Sequence, residues 1–144
     1  MNSDVMVVRR RIGAAFLLGI IAVARTGCST MEGPAVLPRS DWGGDHLLLQ
    51  VYDTVALTEF DCAHGRLDTP IRLLDNEFVS AGWFTQEHGG PIREGEQASP
   101  KRARYSGNIT GDRMTISVML IDEARSIGTF HLQRGSSGRV FKCL

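Results

Sequence analysis

Residues 102–122 read RARYSGNITGDRMTISVMLID. In the first half Ala103, Tyr105, Gly107 and Ile109 alternate with Arg102, Arg104, Ser106 and Asn108. That is the period of two expected of a strand with one buried face. In the second half Met114, Ile116, Val118 and Leu120 keep the same period. Between them Gly111-Asp112 supplies a tight turn, which needs a residue that tolerates positive φ. The stretch reads as a β-hairpin with one apolar face, and a hairpin needs further strands to bury that face.

The neighbouring sequence supplies them. Short runs of alternating apolar and polar residues fall at 46–52, 55–62, 66–74, 78–87, 102–110, 113–122, 127–133 and 139–143. None keeps a helical period over 11 or more residues, so the domain reads as all-β. The connections Asp75-Asn76-Glu77 and 134–138 are short, and only 89–101 is long. Eight strands joined in this way form an antiparallel up-and-down meander, long enough to close into a small barrel with no free edge. A β-sandwich is the alternative that alternation alone leaves open. Gly82, Gly107 and Gly128 lie inside strands and read as the bends of a barrel wall. Trp83 and Phe84 read as core and rim packing.

The N-terminus differs in kind. Arg9-Arg10-Arg11 precedes an uncharged apolar run over 12–24. Its thirteen residues, at about 1.5 Å each, fall short of a hydrocarbon core about 30 Å thick. Residues 1–24 read as an export signal. Ala22-Val23-Ala24 fits cleavage by ordinary signal peptidase, whereas Arg25-Thr26-Gly27-Cys28 is similar to a lipobox that would make Cys28 a lipidated first residue. Arg25 departs from the apolar residue usual there. Residues 25–45, rich in Gly, Pro, Ser and Thr, read as a tether, and 46–144 as the barrel domain.

Sixteen basic residues balance sixteen acidic ones. From Asp41 onward there are 11 Lys and Arg against 14 Asp and Glu, and the one basic cluster, Lys101 to Arg104, is short. Nucleic acid, which demands a concentrated basic face, is not an expected partner.

In a meander, alternate strand ends meet. Cys62, His64, His46, Glu87, His88, Cys143 and the 89–101 loop therefore belong to one end. Three readings compete for EFDCAHGR, residues 59–66. Cys62, His64, His88 and Cys143 would make mixed thiolate and imidazole metal ligands, but Cys-x-His matches no strong zinc spacing. Cys62 activated by a histidine would be a nucleophile, though no protease-type signature surrounds it. In the third reading Cys62 and Cys143 form a disulfide, and Ala63-His64-Gly65 is a three-residue hairpin loop. Export favours the disulfide, since loss or lipidation of Cys28 leaves these two as an even pair. One geometric difficulty stands against it: a strand at 46–52 would separate the two cysteines by two strand spacings, about 9–10 Å.

EFDCAHGRL, EHGGPI, ARYSGNITGDRMTISV and GRVFKCL together resemble a group of bacterial exported or lipoprotein-like proteins with no assigned activity. The resemblance spans roughly residues 47–144. It implies an envelope location and no particular chemistry. By architecture a small tethered barrel with a disulfide is also similar to the membrane-bound inhibitors of c-type lysozyme, whose inhibitory loop residues do not map onto this chain.

The expectation is an exported, membrane-tethered binding module, non-enzymatic and without cofactor or metal. It would hold an envelope protein or small ligand through His64, His88, Gly89, Gly90, Pro91 and Arg93. A hydrolase using His64, His88 and nearby carboxylates, or a metal, is the alternative.

Overall fold

The turn at Gly111-Asp112 organises the fold as its sequence suggests. Gly111 takes a φ of +59°. Around it strands β8 (Lys101–Thr110) and β9 (Arg113–Leu120) pair antiparallel from Thr110↔Arg113 to Ala103↔Leu120. Ala103, Tyr105, Ile109, Met114, Ile116, Val118 and Leu120 all point inward and are buried. These coordinates come from a computed structural model that describes residues 33–90 and 99–143. Residues 1–24, read as an export signal, together with Cys28, Pro91 and Arg93, lie outside the described residues.

The remaining elements are β1 (Ala35–Val36), β2 (Ser40–Gly44), β3 (Leu47–Val51), β4 (Ala56–Phe60), β5 (Ala63–Leu67), β6 (Arg72–Leu73), β7 (Glu77–Gln86) and β10 (Arg125–Arg134). Eight of the ten form a closed antiparallel barrel in the order β10-β2-β3-β4-β5-β7-β8-β9. The fold is an all-β, eight-stranded meander closed on itself, and the sandwich is set aside. Its lumen is filled by side chains, among them Trp42, Leu49, Tyr105 and Ile116. An eight-stranded barrel has just enough room for such packing.

Three strand assignments differ from the sequence reading. The run at 66–74 is not one strand, since β5 ends at Leu67 and Arg72–Leu73 pairs with β1 outside the barrel. Residues 40–44, placed in the tether, form the first barrel strand, so the domain starts before residue 46. Gly43-Gly44 looks like a turn signal. In the fold this glycine pair serves close packing, because a Cβ on Gly43 would lie 2.2 Å from the Gly138 nitrogen. Residues 139–143, read as the last strand, make only a single parallel bridge, Asp45↔Arg139. The place beside β10 is already taken by β2. The tail instead runs back along β2 and across one end of the barrel, through Arg139 N–H to Gly44 O (2.8 Å), His46 N–H to Arg139 O (2.8 Å) and Cys62 N–H to Phe141 O (3.2 Å).

The turn in the 59–66 stretch also moves. Phe60 pairs with Ala63, so Asp61-Cys62 is the whole loop, and Cys62 carries the positive φ of +53°. Ala63-His64-Gly65 is strand, not loop. Gly82 and Gly107 do lie in the barrel wall, where a Cβ would sit 2.2 Å from Arg66 O and 2.1 Å from Thr115 O respectively. Gly128 falls at a register shift in the β9–β10 ladder.

At the end where β2 begins, β1 and β6 form a separate two-stranded sheet. It brings the buried Leu37 against Ile71, with Leu37 N–H bonded to Ile71 O at 2.8 Å. That end therefore carries a plug as well as short turns. The other end collects the 45–46, 61–62 and 121–124 connections together with residues 87–90 and 99–100, and the candidate site lies there.

Candidate functional site

Strand parity decides which residues of this end face outward. Ala63, Gly65 and Leu67 of β5 are buried, so His64 and Arg66 stand on the outer surface. Glu59 of β4 is the cross-strand partner of His64 on one side and Thr85 of β7 on the other. Cys62 is bonded to Cys143, with Cα atoms 4.9 Å apart. No strand intervenes between them, because the tail crosses the rim directly, and the geometric objection disappears. The bond removes the thiol that a nucleophilic Cys62 would need, and it takes two of the ligands a metal site would have used. Among the described residues no three His, Cys, Asp or Glu side chains converge as a ligand set.

The disulfide brings Lys142 onto the same surface. Its ammonium pairs with Glu59 and lies 4.0 Å from Glu87. The hydrogen bond to Glu59 holds the lysine above its ordinary range, and the Glu59 and Glu87 charges add to the effect. His64 Nδ1 lies 2.6 Å from Glu87 Oε1. A carboxylate only accepts, so Nδ1 carries the proton. This histidine–carboxylate pair resembles the orienting half of an acid–base assembly. No hydrogen bond joins His64 to a hydroxyl or thiol among the described residues. His88, Gly89 and Gly90 follow β7 at the same end, with Gly90 at φ +98°.

A second histidine pair pins the tail. His46 Nδ1 meets Asp61 Oδ2 at 2.5 Å, and Asp61 Oδ1 accepts the Phe141 amide at 2.8 Å. The Phe141 amide is the main reason the Asp61 carboxyl stays below the usual carboxylate range, with His46 contributing. A group whose pKa is lower in the folded chain stabilises it above the unfolded value, about 3.9, and that stabilisation is lost as pH falls through the folded one. The tail should therefore loosen only in strong acid. A carbon-13 NMR titration should place Asp61 below free aspartate, with Phe141 amide exchange accelerating as Asp61 protonates. An Asp61 midpoint at the free value would contradict the contact.

Next to His64 lies a groove of about 570 Å³ on the outer wall, lined by Leu57, His64, Arg66, Trp83, Thr85 and Pro100. Trp83 was expected in core or rim packing. Its neighbour Phe84 is indeed buried, but Trp83 has the opposite parity and is 42% exposed. Asp68 fixes the ring: one carboxylate oxygen accepts the indole N–H at 2.7 Å, and the other takes Arg66 Nε at 2.7 Å. The result is a flat aromatic surface held in one orientation. Sequence reasoning missed Trp83, Arg66 and Asp68 as a unit. Their shared outward parity was the available signal.

Behind this wall Tyr105 donates to Trp83 O at 2.7 Å, and burial pushes its phenol up to about 12. Thr58 lies beside the phenol and opposes that shift, yet its own buried hydroxyl completes no hydrogen bond of acceptable geometry among the described residues. At the mouth a smaller cavity of about 270 Å³ opens over Phe60, Phe84, Ile127 and Phe130. The rings of Phe60–Phe84 and Phe60–Phe130 meet edge to face at 5.3 and 5.5 Å.

Fold and site together define a small closed β-barrel with a filled lumen and a disulfide-strapped rim, whose chemistry lies on its outer surface. No protein-family model, curated protein or solved structure matches the chain.

Proposed function

We propose that this protein is an exported, non-enzymatic binding module of the cell envelope, carried there by residues 1–24 and tethered through Cys28. On this reading the outer groove beside His64 holds a small ligand bearing a flat ring. The observation that carries it is Trp83, a large aromatic surface exposed to solvent yet fixed by Asp68. Exposed aromatic faces with one polar anchor are typical of recognition surfaces. The Cys62–Cys143 bond supports the compartment, since disulfides persist where thiols are not kept reduced.

The hydrolase alternative has one observation in its favour, the His64–Glu87 pair. Among the described residues no hydroxyl or thiol is hydrogen-bonded to His64, whereas the groove beside it presents a fixed aromatic face, so binding is the better-supported reading.

Titration of the purified protein with anilinonaphthalene sulfonate, a ring-bearing probe, tests the groove. Saturable one-to-one binding is expected, weakened at least tenfold by Trp83→Ala with circular dichroism unchanged. Equal binding by the variant would remove the groove from consideration. Mass spectrometry of the envelope fraction tests the tether. A mature chain starting at a lipid-modified Cys28 is expected, and an unprocessed chain in the cytosol would overturn the location.

A further inference from the structure

A second groove, of about 690 Å³, crosses the outer wall where the barrel closes. It spans β9, β10 and β2, whereas the Trp83 groove spans β4, β5 and β7. In the strand order of the barrel these lie on opposite sides. Its volume falls within the range of roughly 300–1,000 Å³ that small-molecule sites occupy.

The tail builds one side of this groove. After β10 the chain turns back over β2, held by Gly135 N–H to Asp41 O (2.7 Å) and Arg139 N–H to Gly44 O (2.8 Å). Between them the Gly138 amide donates to Ser136 Oγ at 3.1 Å. Gly138 takes a φ of +66° and packs so closely on Gly43 that a Cβ there would lie 3.1 Å from the Gly43 Cα. This side of the groove is therefore fixed by the backbone before a ligand arrives.

Strand parity supplies the floor. Met114 and Leu132 are buried, so Arg113, Thr115, His131 and Gln133 turn outward. Gln133 is the ladder partner of Arg113, and His131 that of Thr115. Opposed residues have Cβ atoms about 4.5–5.5 Å apart, and diagonal ones stay within reach of long side chains. A single ligand group can thus meet Arg113, Gln133 and His131 together.

The free polar groups here are mainly donors. Arg139 directs Nε and Nη2 at Asp45 Oδ1, at 3.2 and 2.7 Å. That hydrogen bond holds the Asp45 carboxyl below the usual carboxylate range, so the two charges offset each other. Arg134 is matched in the same way by Asp112, at 3.3 Å. Among the described residues neither the Arg113 guanidinium nor the Gln133 side-chain amide has an ion pair or hydrogen bond. His131 meets Thr115 Oγ1 through Nδ1 at 3.2 Å, which leaves its Nε2. Asp45 is the one carboxylate residue in the lining, so Arg113 and Arg139 against Asp45 leave a formal charge of +1.

We propose that this groove binds the phosphate ester of a small polyol, its phosphate on Arg113, Gln133 and His131. A guanidinium fork pairs bidentately with phosphate oxygens. Donors converging from two strands suit a tetrahedral group, whose oxygens point several ways, better than a planar carboxylate. A bare phosphate would fill only a small part of the groove. The remainder offers the Thr115 and Ser136 hydroxyls and backbone, which match the hydroxyls of a polyol. Such an ester occurs free and as a lipid headgroup, and both present the same group. The site does not depend on the Trp83 groove.

Calorimetric titration of the purified full chain with glycerol phosphate tests the proposal. Saturable one-to-one binding is expected, weakening as salt is raised. Glycerol, which lacks the phosphate, and glycerate, which offers a carboxylate, should each bind about tenfold more weakly or worse. Arg113→Gln should cost about tenfold or more with circular dichroism unchanged, and Arg113→Lys should recover part of it. Arg104→Gln removes an exposed guanidinium from the same wall outside the groove and should leave binding intact. In nitrogen-15 spectra the ester should shift the His131 ring and the Gln133 side-chain amide. Vesicles of phosphatidylcholine containing phosphatidic acid separate the two sources. Binding of free glycerol phosphate supports a soluble ester, and Arg113-dependent capture by the vesicles alone supports a headgroup. The proposal is overturned if neither probe binds in an Arg113-dependent way or if glycerate matches glycerol phosphate. It is equally overturned if Arg104→Gln costs as much as Arg113→Gln, which would reduce the effect to diffuse surface charge.

Discussion

Replacing Trp42 with alanine should lower stability by about 3–5 kcal/mol, the range for truncating a large buried aromatic. Trp42 is 0% exposed. Its indole N–H reaches Ser40 Oγ at 2.9 Å, and the Arg134 guanidinium lies 4.5 Å from its ring. Position makes the loss worse than volume alone suggests. Trp42 sits on β2, and β2 closes the barrel through only three residue pairs with β10. Domains of this kind have net stabilities of about 5–15 kcal/mol, so the change removes a large share of the total. Urea denaturation followed by circular dichroism measures it. Trp42→Phe should recover most of the loss by refilling the space, and a chain starting at residue 46 should not fold cooperatively. A Trp42→Ala cost below about 1 kcal/mol would mean that β2 is an appendage and that the remaining seven strands hold the fold.

The contrast between β2 and the β8–β9 hairpin explains what the sequence makes legible. Met114, Ile116, Val118 and Leu120 repeat at a period set by the strand itself, so local order exposes them. Asp41-Trp42-Gly43-Gly44-Asp45 carries one large apolar residue among turn formers. Its strand character comes from distant partners, Leu49 across one ladder and Arg134 across the other. The tail errs in the opposite direction. Val140-Phe141-Lys142-Cys143 has strand-like composition, but β2 already holds the edge it would need.

The site divides in the same way. That Cys62, His46 and Glu87 gather at one end follows from counting alternate strand ends, whereas Cys143 reaches the same end by the tail crossing the rim and not as the end of a strand. That Trp83 faces outward follows from the alternation of β7, in which Gly82 and Phe84 on either side of it are buried. That Asp68 grips both Trp83 and Arg66 needs the β5–β7 register as well as parity, since Trp83 is the ladder partner of Arg66 and comes from a distant part of the chain. Cys62 taking the left-handed backbone conformation is equally hidden, since a reader assigns that role to the nearby Gly65.

Removing the disulfide, by Cys62→Ala with Cys143→Ala, should be the other large effect. The bond spans 81 residues, and for a closed loop of that size the chain-entropy argument gives about 4.5 kcal/mol, within the usual cost of about 2–5 kcal/mol for losing a native bridge. For a domain of this size the melting temperature should fall by roughly 15–20 °C. The change should be distributed unevenly. The crosslink joins the 61–62 turn to the tail, so without it the Phe141 and Cys62 amides and the Lys142–Glu59 pair should open first. The β8–β9 hairpin, closed by its own turn and buried side chains, should keep its protection until global unfolding. Amide exchange under native conditions separates the two regions. Loosening of the tail alone, with the melting temperature unchanged, would show that the tail is dispensable to the barrel and that the bond serves only to present Lys142 beside Glu59 and Glu87. A uniform loss across all strands would show instead that tail and barrel unfold as one unit, with the rim built into the stability of the whole.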